Sequence, residues 1–273
     1  MNRKFGWALA AAASITGFGS ATAADLPVKA RPVPPPVVSW SGCYVGVNAG
    51  YSWGEGYSDL ALQPSLAAWT ALDPAYAAFD GRYAKSPSGA LGGAQGGCNM
   101  QFTSWVIGFE ADADYLGVTK TTSRAGIAQG LPILGTVTHG LEWLASARVR
   151  LGFVPTPNLL LYGTGGVAFG NTSHSALFVR SDVNVGFYGD YNEDFKSGWI
   201  VGGGAEYMIT PNWTVRGEYL YYDLGTTRVV GLPFNQGPNP PFGADGLYAT
   251  RGSIARVGLN YKFGWAGSTL AGR

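Results

Sequence analysis

From residue 43 onward the chain alternates apolar and polar positions with a period of two, and the alternation sorts charge without exception. In CYVGVNAGYSW (residues 43–53) the odd positions are Cys43, Val45, Val47, Ala49, Tyr51 and Trp53. The even ones are Tyr44, Gly46, Asn48, Gly50 and Ser52. This is strand spacing, in which successive side chains point to opposite faces. The pattern recurs over residues 91–102, 105–115, 141–153, 159–169, 199–209, 213–222 and 253–263, which predicts eight strands. Eleven charged residues fall inside them: Glu110, Asp112, Asp114, Glu142, Arg148, Arg150, Glu206, Arg216, Glu218, Arg256 and Lys262. All lie on the polar face.

A basic residue facing lipid at mid-bilayer costs roughly 2–4 kcal/mol, so turning the charged face outward in a membrane would cost on the order of 20 kcal/mol, more than the roughly 5–15 kcal/mol of net stability a fold has. If the chain crosses a membrane, its charges point inward. A soluble sandwich or lipocalin-type barrel would show the same two faces in reverse. Three features favour the membrane. Strands near 11 residues fit a tilted crossing. Aromatics gather at strand ends, with Trp53, Tyr115, Trp143, Phe169, Trp199 and Tyr221 on one side and Trp105, Phe153, Trp213 and Phe263 on the other. Only 13% of residues are charged, against about 25% in an average soluble domain.

The connections alternate between short (103–104, 155–158, 210–212) and long (54–90, 116–140, 170–198, 223–252). That asymmetry belongs to outer-membrane barrels, with short periplasmic turns and long external loops. The expected fold is therefore all-β, an eight-stranded antiparallel up-and-down transmembrane barrel. Helical spans are excluded, because residues 86–109 and 151–179 are charge-poor but broken by Gln95, Asn99, Pro155, Pro157 and Asn158. Ahead of the barrel, Arg3 and Lys4 precede an apolar stretch and an Ala21-Thr22-Ala23 site, which reads as a signal peptide over residues 1–24. Residues 25–38 (DLPVKARPVPPPVV) read as a Pro-rich periplasmic linker, 39–263 as the barrel and 264–273 as a tail. A net charge of +1 offers no footprint for nucleic acid.

The segment SWSGCYVGVNAGYSWG (39–54) resembles the first strand of small alphaproteobacterial outer-membrane barrels, the 25-kDa and 31-kDa surface-antigen group. GGAQGGCNMQF (92–102), WVIGFEADADY (105–115), GGVAFG (165–170) and RVGLNYKF (256–263) are also similar to that family. The resemblance implies an integral Gram-negative outer-membrane protein with an envelope-integrity and surface-interaction role, porin-like in some members. It implies an assembly signal at Gly258, Tyr261 and Phe263, read by the barrel-assembly machinery.

Among residues that could carry chemistry, Cys43 and Cys98 are the only cysteines. They fall near the periplasmic ends of the first two strands, in an oxidising compartment, so a cross-strand disulfide and two separate thiols both remain open. Glu110, Asp112 and Asp114 have the spacing of an acidic metal ladder, but Arg148 and Arg150 point the same way from the neighbouring strand. The eleven charges read better as an interior salt-bridge network, with Glu110 level with Arg148, Glu206 with Arg216 and Glu218 with Arg256. His139 and His174 read as solvated loop residues, and no H-E-x-x-H, G-x-S-x-G or P-loop pattern occurs. Gly163-x-Gly165-x-x-Ala168 lies in a strand with no helix after it and carries no dinucleotide meaning. Neither a catalytic site nor a cofactor is expected. An eight-stranded barrel is only wide enough for its own side chains, which argues for a structural role, with a narrow porin as the alternative. The expected partners are outer-membrane lipid, lipopolysaccharide and a host or environmental surface ligand met by the loops. Of those loops, the first carries Trp69, Tyr76, Phe79 and Tyr83, and the third carries Asp182, Asp190, Glu193 and Asp194.

Overall fold

The computed structural model describes residues 38–63, 66–180, 183–188, 192–229 and 243–263. The signal peptide, all of the linker but Val38, and the tail lie outside the described residues. Eleven strands are present among them: β1 (Gly42–Gly54), β2 (Tyr57–Gln63), β3 (Gly81–Lys85), β4 (Gly89–Phe102), β5 (Trp105–Ala128), β6 (Leu131–Thr156), β7 (Leu159–Arg180), β8 (Val183–Tyr188), β9 (Asn192–Thr210), β10 (Trp213–Val229) and β11 (Gly243–Phe263). Eight of them close a ring in the order β1-β4-β5-β6-β7-β9-β10-β11, and β11 pairs back onto β1. The seam runs from Cys43 opposite Phe263 to Gly54 opposite Gly252. Every pairing in the ring is antiparallel, so no strand edge is left to face lipid.

The outer surface is apolar, as a hydrocarbon solvent demands. Val45, Val47, Ile107, Phe109, Val149, Leu151, Val201, Val257 and Leu259 are all exposed. The charged positions of the same strands are buried: Arg148 is 0% exposed, Glu110 1% and Arg256 3%. Aromatic pairs mark the two borders, Trp105 with Phe153 and Trp213 with Tyr261 at the turn side, Trp199 with Tyr221 at the loop side.

The connection over residues 116–140, expected as a long loop, is a continuation of β5 and β6. The two strands pair as far as Ala128 opposite Leu131 and turn through Gln129 and Gly130, both at positive φ (51° and 74°). Such a two-residue turn matches the twist of the strands it joins. The sequence hid this because the register slips between Tyr115 and Val118, with Gly117 at φ 57°. A second slip, between Leu141 and Trp143, shifts β6 against β7. Each slip sets an extra residue on one strand, and between them the inward parity of β6 switches from Leu144 to Leu141 while β5 and β7 keep theirs. The first external connection carries β2, a short helix α1 (Leu66–Leu72), a 3-10 turn (Pro74–Phe79) and β3. It folds back onto the extended hairpin, where Arg124 Nη1 donates to the Ala78 carbonyl.

Cys43 and Cys98 face each other across β1 and β4 and are joined by a disulfide that closes a 55-residue separation. Because those strands are already held by a ladder of hydrogen bonds, Cys98→Ser is expected to cost about 2 kcal/mol, the low end for such a bond. Denaturant midpoints of oxidised wild type and variant measure it. A loss no larger than that of a surface substitution would show that the bond does not stabilise the fold.

Candidate functional site

The barrel interior is the most chemically loaded part of the molecule. Along β6 from the periplasmic side, its inward positions are Arg150, Arg148, Ser146 and Leu144, then Leu141, His139, Val137 and Ile133. That order is the order of the layers.

At the periplasmic mouth Trp40, 2% exposed, packs with Val106, Leu160, Tyr162 and Met208. Its indole N–H donates to the Pro157 carbonyl at 3.2 Å, and its backbone N–H donates to Gln101 Oε1 at 2.8 Å. Trp40 shares the inward parity of Tyr44 and Asn48, a signal that periodicity counted only from Cys43 passes over.

Above it lies the charge layer. Arg148 Nη2 is 2.5 Å from both Glu110 Oε1 and Asp112 Oδ2, and its Nη1 is 3.1 Å from Glu218 Oε1. Arg256 grips three carboxylates at once: Glu218 from Nε at 2.9 Å, Asp114 from Nη1 at 2.6 Å and Asp112 from Nη2 at 3.0 Å. Arg216 reaches Glu110, and also Gln95 Oε1 at 2.5 Å and Glu218 at 3.5 Å. Arg150 pairs with Glu206 and lies 3.6 Å over the centre of the Tyr162 ring. Glu206 also accepts from Thr214 at 2.5 Å and Asn260 at 3.0 Å. Tyr44 donates to Glu110 and Tyr162 to Glu218. Charges this deep require such partners, since each isolated ion would face a desolvation penalty of several kcal/mol. Space for them comes from glycine: a Cβ on Gly97 would lie 2.8 Å from the Tyr44 hydroxyl oxygen and 2.9 Å from its ring carbon.

Nine of the eleven expected charges therefore meet. Two do not. Glu142 sits at the β6 register slip, half-buried, and accepts from Asn171 at 3.3 Å. Lys262 lies at the periplasmic rim, where its ammonium donates to the Ser39 carbonyl. The expected match of Glu206 with Arg216 holds for the backbone but not for the charges. The long Arg216 side chain crosses the lumen to Glu110 instead, and sequence spacing cannot report that. Gly258 faces inward against Gln95 and Arg216, whereas Tyr261 and Phe263 face out at the periplasmic border, their rings 5.3 Å apart.

The next layer is apolar. Leu91, Leu116, Leu141, Leu144, Ile200, Leu220, Tyr222 and Ile254 fill the upper lumen. Over them stand His139 and His174, expected in solvent but 1% and 0% exposed. They oppose each other across β6 and β7 with rings 4.8 Å apart, and His174 stacks on Tyr248 at 4.4 Å. His139 contacts the Ser58 hydroxyl at 3.3 Å and the Thr250 hydroxyl at 3.1 Å. Burial holds both imidazoles neutral, with His139 lowered to about 3, assisted by its neighbour His174, and His174 lowered to about 4, assisted by Lys196. A distal core of Leu60, Leu62, Tyr76, Phe79, Tyr83, Ile133, Val137 and Tyr248 caps the stack. Three of the first-loop aromatics are thus packing residues. For Trp69 and for the acidic residues 182, 190, 193 and 194, the side chains lie outside the described residues.

Comparison with known proteins agrees with this architecture. Residues 10–263 match the family model described as outer membrane protein beta-barrel domain. The chain is 34% identical over 256 residues to a 31 kDa outer-membrane immunogenic protein of Brucella melitensis biotype 1, covering 89% of this chain and 94% of that protein. It is 27% identical over 233 residues to a 25 kDa outer-membrane immunogenic protein of Brucella abortus biovar 1, covering 81% and 88%. Among solved structures, the outer membrane protein OprG from Pseudomonas aeruginosa aligns at 13% identity and a TM-score of 0.49, covering 82% of this chain and 96% of that one. Closed ring, lipid-facing apolar surface and family match together make this chain a member of the outer-membrane β-barrel surface-antigen family, resident in the outer membrane.

Proposed function

We propose that the protein is a sealed, non-enzymatic barrel that braces the outer membrane and carries a stiff extracellular platform. The observation that supports this most is the charge layer, in which Arg148, Arg216 and Arg256 tie β6, β10 and β11 to carboxylates on β5 and β10 across the lumen. An eight-stranded barrel has room for little more than its own side chains, and here apolar layers lie on both sides of the ions. Lipid and the sugars of lipopolysaccharide bathe the outside in this reading. The barrel-assembly machinery engages the last strand through Tyr261 and Phe263. Environmental or host surfaces meet the platform formed by the long strands and the first connection.

The test is conductance. Reconstituted protein in planar bilayers is expected to give no stable open state, and loaded liposomes should not swell in small sugars. A strain lacking the gene should show detergent sensitivity. A steady current of nanosiemens size would replace this reading with that of a narrow porin.

A further inference from the structure

The charge layer does not balance. Its lower part pairs one guanidinium, Arg150, with one carboxylate, Glu206. The upper part sets three guanidiniums (Arg148, Arg216, Arg256) among four carboxylates, Glu110, Asp112, Asp114 and Glu218. All seven side chains are at most 3% exposed. Lys262 is half-buried at the periplasmic rim, where it donates to Ser39 and its charge is felt by Glu206 of the lower part, not by the four upper carboxylates. One uncompensated negative charge inside a membrane is costly.

The donor inventory locates the surplus. Glu110 takes Arg148 on one oxygen, and Arg216 and Tyr44 on the other. Glu218 takes Arg148 and Tyr162 on one, Arg256 on the other. Asp112 Oδ2 takes Arg148, Arg256 and Ser146. Asp114 has a single guanidinium contact, from Arg256, itself shared with Asp112 and Glu218, and its buried Oδ1 lacks a hydrogen bond of ordinary geometry, the nearest further donor to the carboxyl being the Asn48 amide that also serves Gln95. Asn48, Gly93 and Asp114 lie in one row across β1, β4 and β5. Asp114 Oδ1 rests on Gly93, where a Cβ would come within 2.2 Å, and Asn48 Oδ1 is a second buried acceptor without a donor. The row thus sets two acceptors against one amide nitrogen, that of Asn48, which also serves Gln95 at 3.1 Å.

We propose that the folded barrel binds one proton at this point, on Asp114 Oδ1, so that the upper cluster is electrically neutral. The chemistry is the simplest available: a carboxylate takes up one proton from periplasmic water as the barrel closes, and no other bond changes. A hard metal cation fits less well, because it gathers several oxygens and the Gly93 backbone already fills one side of Asp114. The proposal rests on a sealed lumen. The two fail separately, because leakage is read as current and protonation as a spectrum.

Infrared spectra of the folded protein at neutral pH are expected to contain the carbonyl band of a protonated carboxylic acid. Asp114→Asn, which keeps the shape and supplies a hydrogen, should lose that band while keeping the wild-type denaturant midpoint. Asp112→Asn removes the surplus charge together with a carboxylate gripped by three donors, so it should release the proton from Asp114 and lose the band, and unlike Asp114→Asn it should also lower the midpoint. Should Asp114→Asn not fold, 13C spectra of aspartate-labelled wild type give the answer directly, with one carboxyl carbon at the protonated position. A wild type without the acid signal, a band that survives Asp114→Asn, or a midpoint that rises with sodium or potassium only when Asp114 is present would each overturn the proposal.

Discussion

Replacing Arg148 with alanine is expected to destabilise the barrel by about 3–5 kcal/mol, the usual cost of breaking a buried ion pair from one side. The change strands three carboxylates at once. Glu110 keeps Arg216 and Tyr44, Asp112 keeps Arg256 and Ser146, and Glu218 keeps Arg256 and Tyr162, but each loses a guanidinium contact of 2.5–3.1 Å. Arg148→Ala with Glu110→Gln should recover part of the loss, since it removes a charge along with its partner. Arg148→Lys should fall between, because one ammonium cannot reproduce a planar fork that serves three acceptors. Urea unfolding of the reconstituted barrel measures all four forms. A single variant within 1 kcal/mol of wild type would mean that water reaches the layer and solvates what is left.

Acid is expected to loosen the extracellular half before the membrane half. His139 and His174 are buried as neutral rings, lowered to about 3 and about 4 from an ordinary value of 6.5. An imidazole depressed in the fold contributes its full stability above its unfolded value and loses it as pH falls from 6.5 toward its folded value. At pH 4 the loss is about 3 kcal/mol for each ring, and on the order of 5 for the pair. The groups that face them are Ser58, Thr250 and Tyr248, with Lys196 adding positive charge nearby, so none of these offers an imidazolium a negative charge. Hydrogen exchange at pH 7 and pH 4 should show lost protection in β6 and β7 above Leu141, with little change over residues 143–153. His174→Phe keeps the stack on Tyr248 and removes one titrating ring, so it should roughly halve the effect. An identical acid response in that variant would reassign it to other groups.

The ring itself was legible in the alternation, because each membrane-crossing stretch must keep lipid on one side and its own interior on the other. What the alternation concealed has two physical causes. Where both faces are apolar, as around Leu144, Leu220 and Ile254, the period of two carries no contrast, and the inner apolar layer cannot be separated from the lipid-facing wall. At the slip beside Trp143 the inward parity of β6 switches from Leu144 to Leu141, and beyond Gly117 the inward face of β5 becomes polar at Lys120, Thr122 and Arg124, so strands running on to Ala128 and Arg180 read as loops, and two buried histidines read as solvated ones. The partner chosen by each guanidinium was out of reach for a third reason. Arg216 spans the lumen, and such a choice depends on the curvature of the closed ring rather than on neighbours in register.

The bond between Cys43 and Cys98 lies on the outward parity of β1 and β4, with Cys43 opposite Phe263 at the periplasmic border. Its sulfurs stand at the edge of the bilayer that faces the oxidising compartment. The clasp fastens the first strand of the ring to its neighbour at the end where the chain enters the barrel. A pull on the segment ahead of Cys43 therefore meets a covalent tie before it can unzip the ladder from Tyr44 onward.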